Sequence, residues 1–427
     1  MGNLRESWGS LPDRRKANNN RQYEMADAAM SAFAVFFMQS PSFLAGQQEM
    51  QERKGGSNAG TLFGIENIPS SSQIRNLLDG LSPDVFERDF DWVHEQLGAA
   101  GQKARFADHG GTQLIALDGL TFFQSKKVSC PECQKRSDSY FHSAVTPVLV
   151  KPDLEYVLPL MPEFVVPQDG VEKQDCEQNA AKRWLARHPA APHSVTYLGD
   201  ALYASQPFCE QVSAARQYFV FVAKPQSHPS LFTMLAEMDR LGTLHQSTQK
   251  QWNGRHYELW TLRFVSDVPL RGDVKAMSVN WLEVTVIHAS TGKQLYFNSW
   301  VTNHVVTADS VISLAKAGRA RWKIENESNN VLKNHGYHLE HNFGHGNLHL
   351  SNVLFTLNLL AFLTHTVQEL LAKPYQMLRL ALKSRKRFFN DLRALTHYNV
   401  YLSWQHLWRY MLEGLEIVFD SALLFSD

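Results

Sequence analysis

The spacing of apolar positions changes character several times along this chain, and each change predicts a structural boundary. Over residues 23–100 apolar residues recur at helical spacing between Ser, Pro and Gly breaks, as in IPSSSQIRNLLDGLSPDVFERDFDWVHEQLG. Ser70 to Ser72 ahead of IRNLL, and Ser82-Pro83-Asp84 further on, supply helix starts. This predicts a helical N-terminal region within residues 1–105. Its first 22 residues, polar and rich in Asn and Arg (RRKANNNR), read as a flexible basic arm.

From about 106 the pattern shortens. TQLIALDGLTFF, residues 112–123, is an apolar run broken by Asp118 and a glycine, and it predicts a strand buried on both faces. YFHSAVTPVLVKP and EYVLPLMPEFVVP continue with strand composition. A helix (EQNAAKRWLARH), a strand ending in an acid (SVTYLGD), a helix (FCEQVSAARQ) and a strand (QYFVFVAKP) then alternate, which is α/β order. Residues 106–235 therefore form the first part of an α/β core. Residues 236–305 are Trp-rich and lack helical periodicity, and they predict an inserted antiparallel sheet. Helical sequence resumes at TADSVISLAKAGRARWKIENESNNVLK, with Thr307 to Ser310 as the cap region. Residues 306–371 complete the core and 372–427 form a helical C-terminal region.

Two apolar stretches test for membrane or targeting roles. Met25–Met38 carries Asp27 and follows a leader holding Glu6, Asp13 and Glu24, which does not suit a secretory signal. Asn352–Val367 is short of the ~20 apolar residues of a span and contains Asn358 and His365. Both read as buried helices, and the expectation is a cytoplasmic chain without membrane contact. Four cysteines in 427 residues cannot frame a disulfide scaffold and agree with a reducing compartment.

Charge adds a constraint. Forty-two Lys and Arg balance 42 Asp and Glu, so any nucleic-acid contact must come from local basic patches. Such patches exist at Arg14, Arg15, Lys16 and Arg21, at Lys126, Lys127, Lys135 and Arg136, and at Arg379, Lys383, Arg385, Lys386, Arg387 and Arg393. They would supply salt-dependent phosphate binding. A solvated helix face or an amphipathic membrane-surface helix explains the last run equally well.

Three acids carry the candidate chemistry: Asp118 within an apolar run, Asp200 at a strand end, and Glu325 on a helix. A buried carboxylate is costly unless paired or bound to metal. Separated Asp, Asp and Glu suit Mg²⁺, and two such ions can stabilise both the attacking and the leaving oxygens of a phosphodiester. The plain alternative is that these acids cap helices or pair with arginine.

The run R-W-K-I-E at 321–325 with Lys333 beyond it resembles the tyrosine–arginine–glutamate–lysine signature of DDE transposases of insertion-sequence family four. These are hairpin-forming cut-and-paste enzymes of mobile elements. LIALDGL and VTYLGDALYAS resemble the family's two aspartate segments, and the β-rich insertion falls where the family has one. The resemblance covers roughly 110–350. It implies an RNase H-like catalytic core with an inserted antiparallel β subdomain and helical flanks. It further implies transposition by DNA cleavage and strand transfer, with Asp118, Asp200 and Glu325 holding two Mg²⁺ ions, replaceable by Mn²⁺. Arg321 and Lys333 would clamp phosphates, and Lys126, Lys127, Arg385, Lys386 and Arg387 would touch DNA. An insertion tryptophan would stack on an extruded base: Trp252, Trp260, Trp281 or Trp300, with Trp300 nearest the glutamate helix in sequence. The partners implied are double-stranded DNA, as terminal inverted repeats and target, and a second copy of the chain, at the bacterial nucleoid.

Two positions depart from the signature. Gly318 stands where the family has tyrosine, and Leu332 where it has lysine, Lys333 coming one place late. On an α-helix i+7 nearly superposes on i, whereas i+8 is rotated by about 80°. Either the helix register changes locally or Lys333 approaches from a shifted angle. Glu327 is the runner-up glutamate but lacks the arginine spacing. A nuclease without strand transfer, or a catalytically silent domesticated DNA-binding protein, stays open.

Two further motifs remain. Cys130-Pro-Glu-Cys133 is half of a zinc site, which His142, Cys176 or Cys209 could complete, and an ordinary turn with free thiols is the alternative. NHGYHLEHNFGHGNLHL holds His335, His338, His341, His345 and His349 without an H-E-x-x-H pattern, and reads as a loop packing beside the acidic site.

Overall fold

A computed structural model describes residues 1–15, 22–52, 55–167 and 175–420. It is a mixed α/β protein. The strands are β1 (Gln113–Ala116), β2 (Gly119–Ser125), β3 (Gln134–Arg136), β4 (Ser139–Val145), β5 (Val148–Val150), β6 (Leu158–Pro159) and β7 (Glu163–Val165). They continue with β8 (Val195–Gly199), β9 (Tyr218–Val222), β10 (His245–Trp252), β11 (Tyr257–Pro269), β12 (Ser278–His288) and β13 (Gln294–Thr302). A nine-stranded sheet runs β10-β11-β12-β13-β9-β8-β1-β5-β6, while β2, β3, β4 and β7 form a smaller antiparallel sheet. β8 is parallel to both β1 and β9, and the remaining pairs of the large sheet are antiparallel.

The apolar run at 112–123 is two strands rather than one. It leaves the large sheet after Ala116 and enters the small sheet at Gly119, so Asp118 sits at the corner between them. The Trp-rich segment forms the expected antiparallel strands. It is not a detached sheet, because β13 pairs with β9 and extends the core sheet outwards. Its first predicted residues belong instead to helix Pro229–Arg240.

The two apolar helices explain each other. In Met25–Phe37 every residue is buried, and Leu350–Leu371 packs directly against it. The latter is 22 residues long and apolar enough to cross a membrane by length, longer than the sequence suggested, but its side chains are buried inside the protein. An all-round apolar helix is what such a central position requires.

N- and C-terminal helices share this core. The Asn58 side-chain amide donates to the carbonyls of Thr396 and Asn399 (2.8 Å each), and the Trp404 indole donates to Leu62 O (2.8 Å). The expected flexible arm is anchored at its start: Gly2–Trp8 is helical, and Trp8 is fully buried between Phe33 and Phe86, with its indole donating to Asp89. Arg15 pairs with Asp13, while Lys16 and Arg21 lie outside the described residues. Two of the three predicted caps form, Ser70 accepting from Gln73 N and Ser82 from Asp84 N, whereas helix Val311–Ala320 begins after Ser310 without a side-chain cap.

Candidate functional site

Parallel pairing of β1 with β8 sets Ala116 beside Leu198. Two residues further along each chain, the same register brings Asp118 and Asp200 to the carboxyl ends of adjacent parallel strands. That is where open α/β sheets place ligands. Leu117 N still donates to Leu198 O (2.8 Å), so the register holds up to the corner. Asp200 accepts from Leu202 N, which fixes its carboxylate at the start of the following turn.

Glu325 arrives from the helical segment after β13. Its carboxylate accepts an ion pair from Arg321 at 2.7 Å. One turn on, the Asn329 amide donates to Asp118 at 3.3 Å. The convergence shows in Asp118 itself. Burial, and then the negative charges of Glu177, Glu325 and Asp200, push its pKa up to about 7 against the lowering effect of Arg321. Asp200 and Glu325 thus both lie within electrostatic reach of Asp118.

Glu177 is the residue that sequence reading missed. It opens helix Glu177–Arg187, accepts from the Tyr203 hydroxyl (2.8 Å) and lies against Gly119, where any side chain would strike its carboxylate. Burial, more than Asp200 nearby, raises its pKa. An acid at a helix start is ordinary in sequence, so nothing local distinguished it.

Both departures from the signature have structural counterparts. Ile324–Asn329 is a π-helical turn, whose i→i+5 bonding accommodates one extra residue. Arg321, Glu325, Asn329 and Lys333 recur every four residues, a row that drifts about 40° per step on a regular α-helix. The wide turn at Ile324–Asn329 offsets that drift. Gly318 lies against the Trp300 indole: a Cβ there would sit 2.6 Å from the ring. A tyrosine cannot fit while Trp300 fills the space.

That same contact corrects the assignment of Trp300. It is fully buried, as are Trp281 and, nearly so, Trp260, so none of these presents a face to a base. Trp252 is exposed, and so is Trp322, which sequence reading passed over within R-W-K-I-E. Both line a cleft of about 400 Å³ with Lys316, Arg319 and Glu327. Arg319 lies over the Tyr296 ring at 4.8 Å. Glu327 pairs with Lys323 at 2.7 Å on this cleft side, away from Asp118.

Among the basic residues, Arg385 is also corrected. Its guanidinium is buried, donates to the Tyr337 hydroxyl (2.8 Å) and lies 3.5 Å from Glu369. Arg379 and Arg393 are likewise turned inwards, to Glu369 and to the carbonyls of Met38 and Gln39. Lys383, Lys386 and Arg387 are exposed, as are Lys127 and Lys126, the latter paired with Asp138. Lys333 lies 3.5 Å from Glu340.

A second cluster could hold a metal such as zinc: Cys130, Cys133, His142 and His345, whose donor atoms all lie within 4.8 Å of one another. His142 is the completion foreseen for the CxxC. Cys176, exposed, and Cys209, buried beside Tyr203, are not part of it. The fourth donor comes from the histidine-rich loop, whose other members do different work. His349, for example, pairs with Glu132 at 2.6 Å.

No family model matches this chain, and no curated protein matches it.

Proposed function

We propose that the protein is a DDE-type DNA transposase that cleaves phosphodiesters at inverted-repeat element ends and joins them to target DNA. The observation that carries this reading is the placement of Asp118 and Asp200 just past the ends of paired parallel strands, with Asn329, one turn beyond Glu325, bonded to Asp118. The sheet order gives support. The order β6-β5-β1-β8-β9, with β5 antiparallel to β1 and β8 and β9 parallel to it, is compatible with an RNase H-like core.

An oxygen-rich site with excess negative charge and few cations suits a hard divalent ion. Asp118, Asp200 and Glu325, with Glu177 beside them, would hold Mg²⁺ or Mn²⁺. Such ions, when bound, supply Lewis-acid polarisation of the scissile phosphate and acidify the attacking water or DNA 3′-hydroxyl. The remaining work falls to the chain's own side chains. Arg321 holds Glu325 by an ion pair, and Asn329 fixes one oxygen of Asp118. Lys333 and Arg321 would bind phosphate oxygens flanking the cut, the guanidinium as a planar fork and the ammonium as a mobile charge. Trp252 and Trp322 offer stacking surfaces for an unpaired base, a contact that contributes ~1–3 kcal/mol. Two ends processed together call for a homodimer on DNA.

The test combines purified protein, Mg²⁺, labelled element ends and a target plasmid. Cleaved ends with joined product support the transposase. Cleavage without joining favours the nuclease, and binding without cleavage favours the silent DNA-binding protein.

A further inference from the structure

The cysteine–histidine cluster is built from distant pieces. Cys130 and Cys133 lie between β2 and β3, His142 is on β4, and His345 comes from the connection between helices Asn330–Asn334 and Leu350–Leu371, 203 residues beyond His142. Cys130 Sγ and Cys133 Sγ are 3.8 Å apart, and His142 Nε2 is 3.4 and 3.3 Å from them. His345 Nε2 is 3.3 Å from Cys133 Sγ and 3.1 Å from His142 Nε2. A tetrahedron with Zn–S of about 2.3 Å and Zn–N of about 2.0–2.1 Å has edges of about 3.8 Å (S–S), 3.5 Å (S–N) and 3.3 Å (N–N). The observed spacings follow that order and nearly those lengths.

We infer that Cys130, Cys133, His142 and His345 form a structural zinc site that fastens the β3–β4 hairpin to the chain leaving the glutamate helix. Two thiols and two imidazoles in a tetrahedral array select zinc among common biological ions and do not suit Mg²⁺. On binding, each thiol gives up its proton to solvent and both imidazoles coordinate through Nε2 as neutral rings. Two thiolates then cancel the charge of the ion, so the centre is neutral and tolerates its burial. Surrounding groups are arranged to match. Cys130 N donates towards Cys133 Sγ (3.4 Å), and the backbone amides of Glu132 and Cys133 point at Cys130 Sγ. The other ring nitrogen of His345, Nδ1, lies 3.0 Å from Gly346 O, which fixes the ring as metal-binding histidines require. Glu132, between the cysteines, accepts from Asn352 (2.8 Å) and pairs with His349, tying the same turn to the start of Leu350–Leu371. With four protein donors and no open position, the role is structural rather than hydrolytic.

The full chain, purified under reducing conditions with Zn²⁺ supplied, is expected to hold one zinc per chain by elemental analysis. Co²⁺ exchanged into it is expected to give the visible absorption of a tetrahedral, thiolate-ligated ion. His345→Ala and Cys133→Ser are expected to lower zinc content to background. Should either variant misfold, alkylation of the native chain decides: Cys130 and Cys133 are protected until a chelator is added, while Cys176 reacts throughout. A folded, reduced chain that takes up no zinc overturns the assignment. So does a native Cys130–Cys133 disulfide, or undiminished zinc in both variants. None of these readouts depends on DNA cleavage, so the zinc site and the transposase reading stand or fall separately.

Discussion

Among the described residues, a carboxylate cluster and a thiol–imidazole cluster are made on opposite principles. The carboxylate site gathers Asp118, Glu177, Asp200 and Glu325, and burial, reinforced by the neighbouring negative charges, raises the Asp118 pKa to about 7. The thiol–imidazole site gathers groups that are uncharged as thiols and neutral rings, and its donor atoms lie within 4.8 Å of one another. The first is positioned by rigid elements: two parallel strand ends and a helix. The second is positioned largely by loops, with His142 on β4, and a bound ion would hold these pieces together. A site that performs chemistry gains from geometry that persists without its cation, whereas a site that fastens loops gains from collapsing around one.

The sharpest way to break this contrast is to remove one donor from each site and read both activity and stability. Asp118→Ala is expected to reduce Mg²⁺-dependent cleavage by at least about 10³-fold, since ion-supplied stabilisation of several kcal/mol is lost. Binding of labelled ends should change little. Its melting temperature without Mg²⁺ should not fall, because a strained charge leaves with the side chain. Full cleavage by this variant would sink the ligand assignment. His345→Ala should do the reverse, lowering the melting temperature by more than about 5 °C while cleavage at a permissive temperature stays within tenfold of the native rate. Equal loss of cleavage in both variants would erase the distinction.

A pH titration sharpens the same comparison. The carboxyl of Asp118 has a folded pKa near 7 and an unfolded one near 3.9. The folded state therefore binds the extra proton in between, and without a divalent ion stability falls as pH rises from about 4 to 7, by on the order of 4 kcal/mol. Asp118→Asn should flatten that slope in urea-denaturation curves. Mg²⁺ must displace the proton, so its apparent affinity should rise about tenfold per unit up to pH 7 and level off above. Glu177→Gln removes the largest charge acting on Asp118 and should move that break to lower pH. An unmoved break would show that burial alone holds the proton.

How legible these sites were in sequence follows from what places each residue. Asp118, Asp200 and Glu325 stood out because an acid in an apolar run or at a strand end carries a local cost. The strand-by-strand reading from 139 to 222 survived because periodicity there reflects burial directly. Glu177 carried no such mark, since only the turn at Gly119 brings it to Asp118. His345 was visible merely as one of five histidines in a loop, and no local spacing links it to a CxxC whose second cysteine lies 212 residues earlier. Trp300 and Arg385 misled for a common reason. Side chains with one polar end and a large apolar body look exposed in a list, yet each fills an internal space whose walls come from elsewhere: Gly318 for the first, Tyr337 for the second.

The smallest expected effects lie along the glutamate helix, where two substitutions separate packing from recognition. Gly318→Ala places a methyl against the buried Trp300 indole and should lower stability by about 1–3 kcal/mol, as over-packing of a filled core does. Trp322→Ala, four residues on, removes an exposed ring and should leave the melting temperature within a degree or two. If that ring stacks on an unpaired base, binding to pre-cleaved or mismatched ends should weaken about tenfold, with intact duplex ends less affected. The direction matters more than the size. A larger loss on intact duplex would mean that Trp322 contacts the DNA backbone, and the cleft it shares with Trp252 would then guide the duplex rather than receive a base.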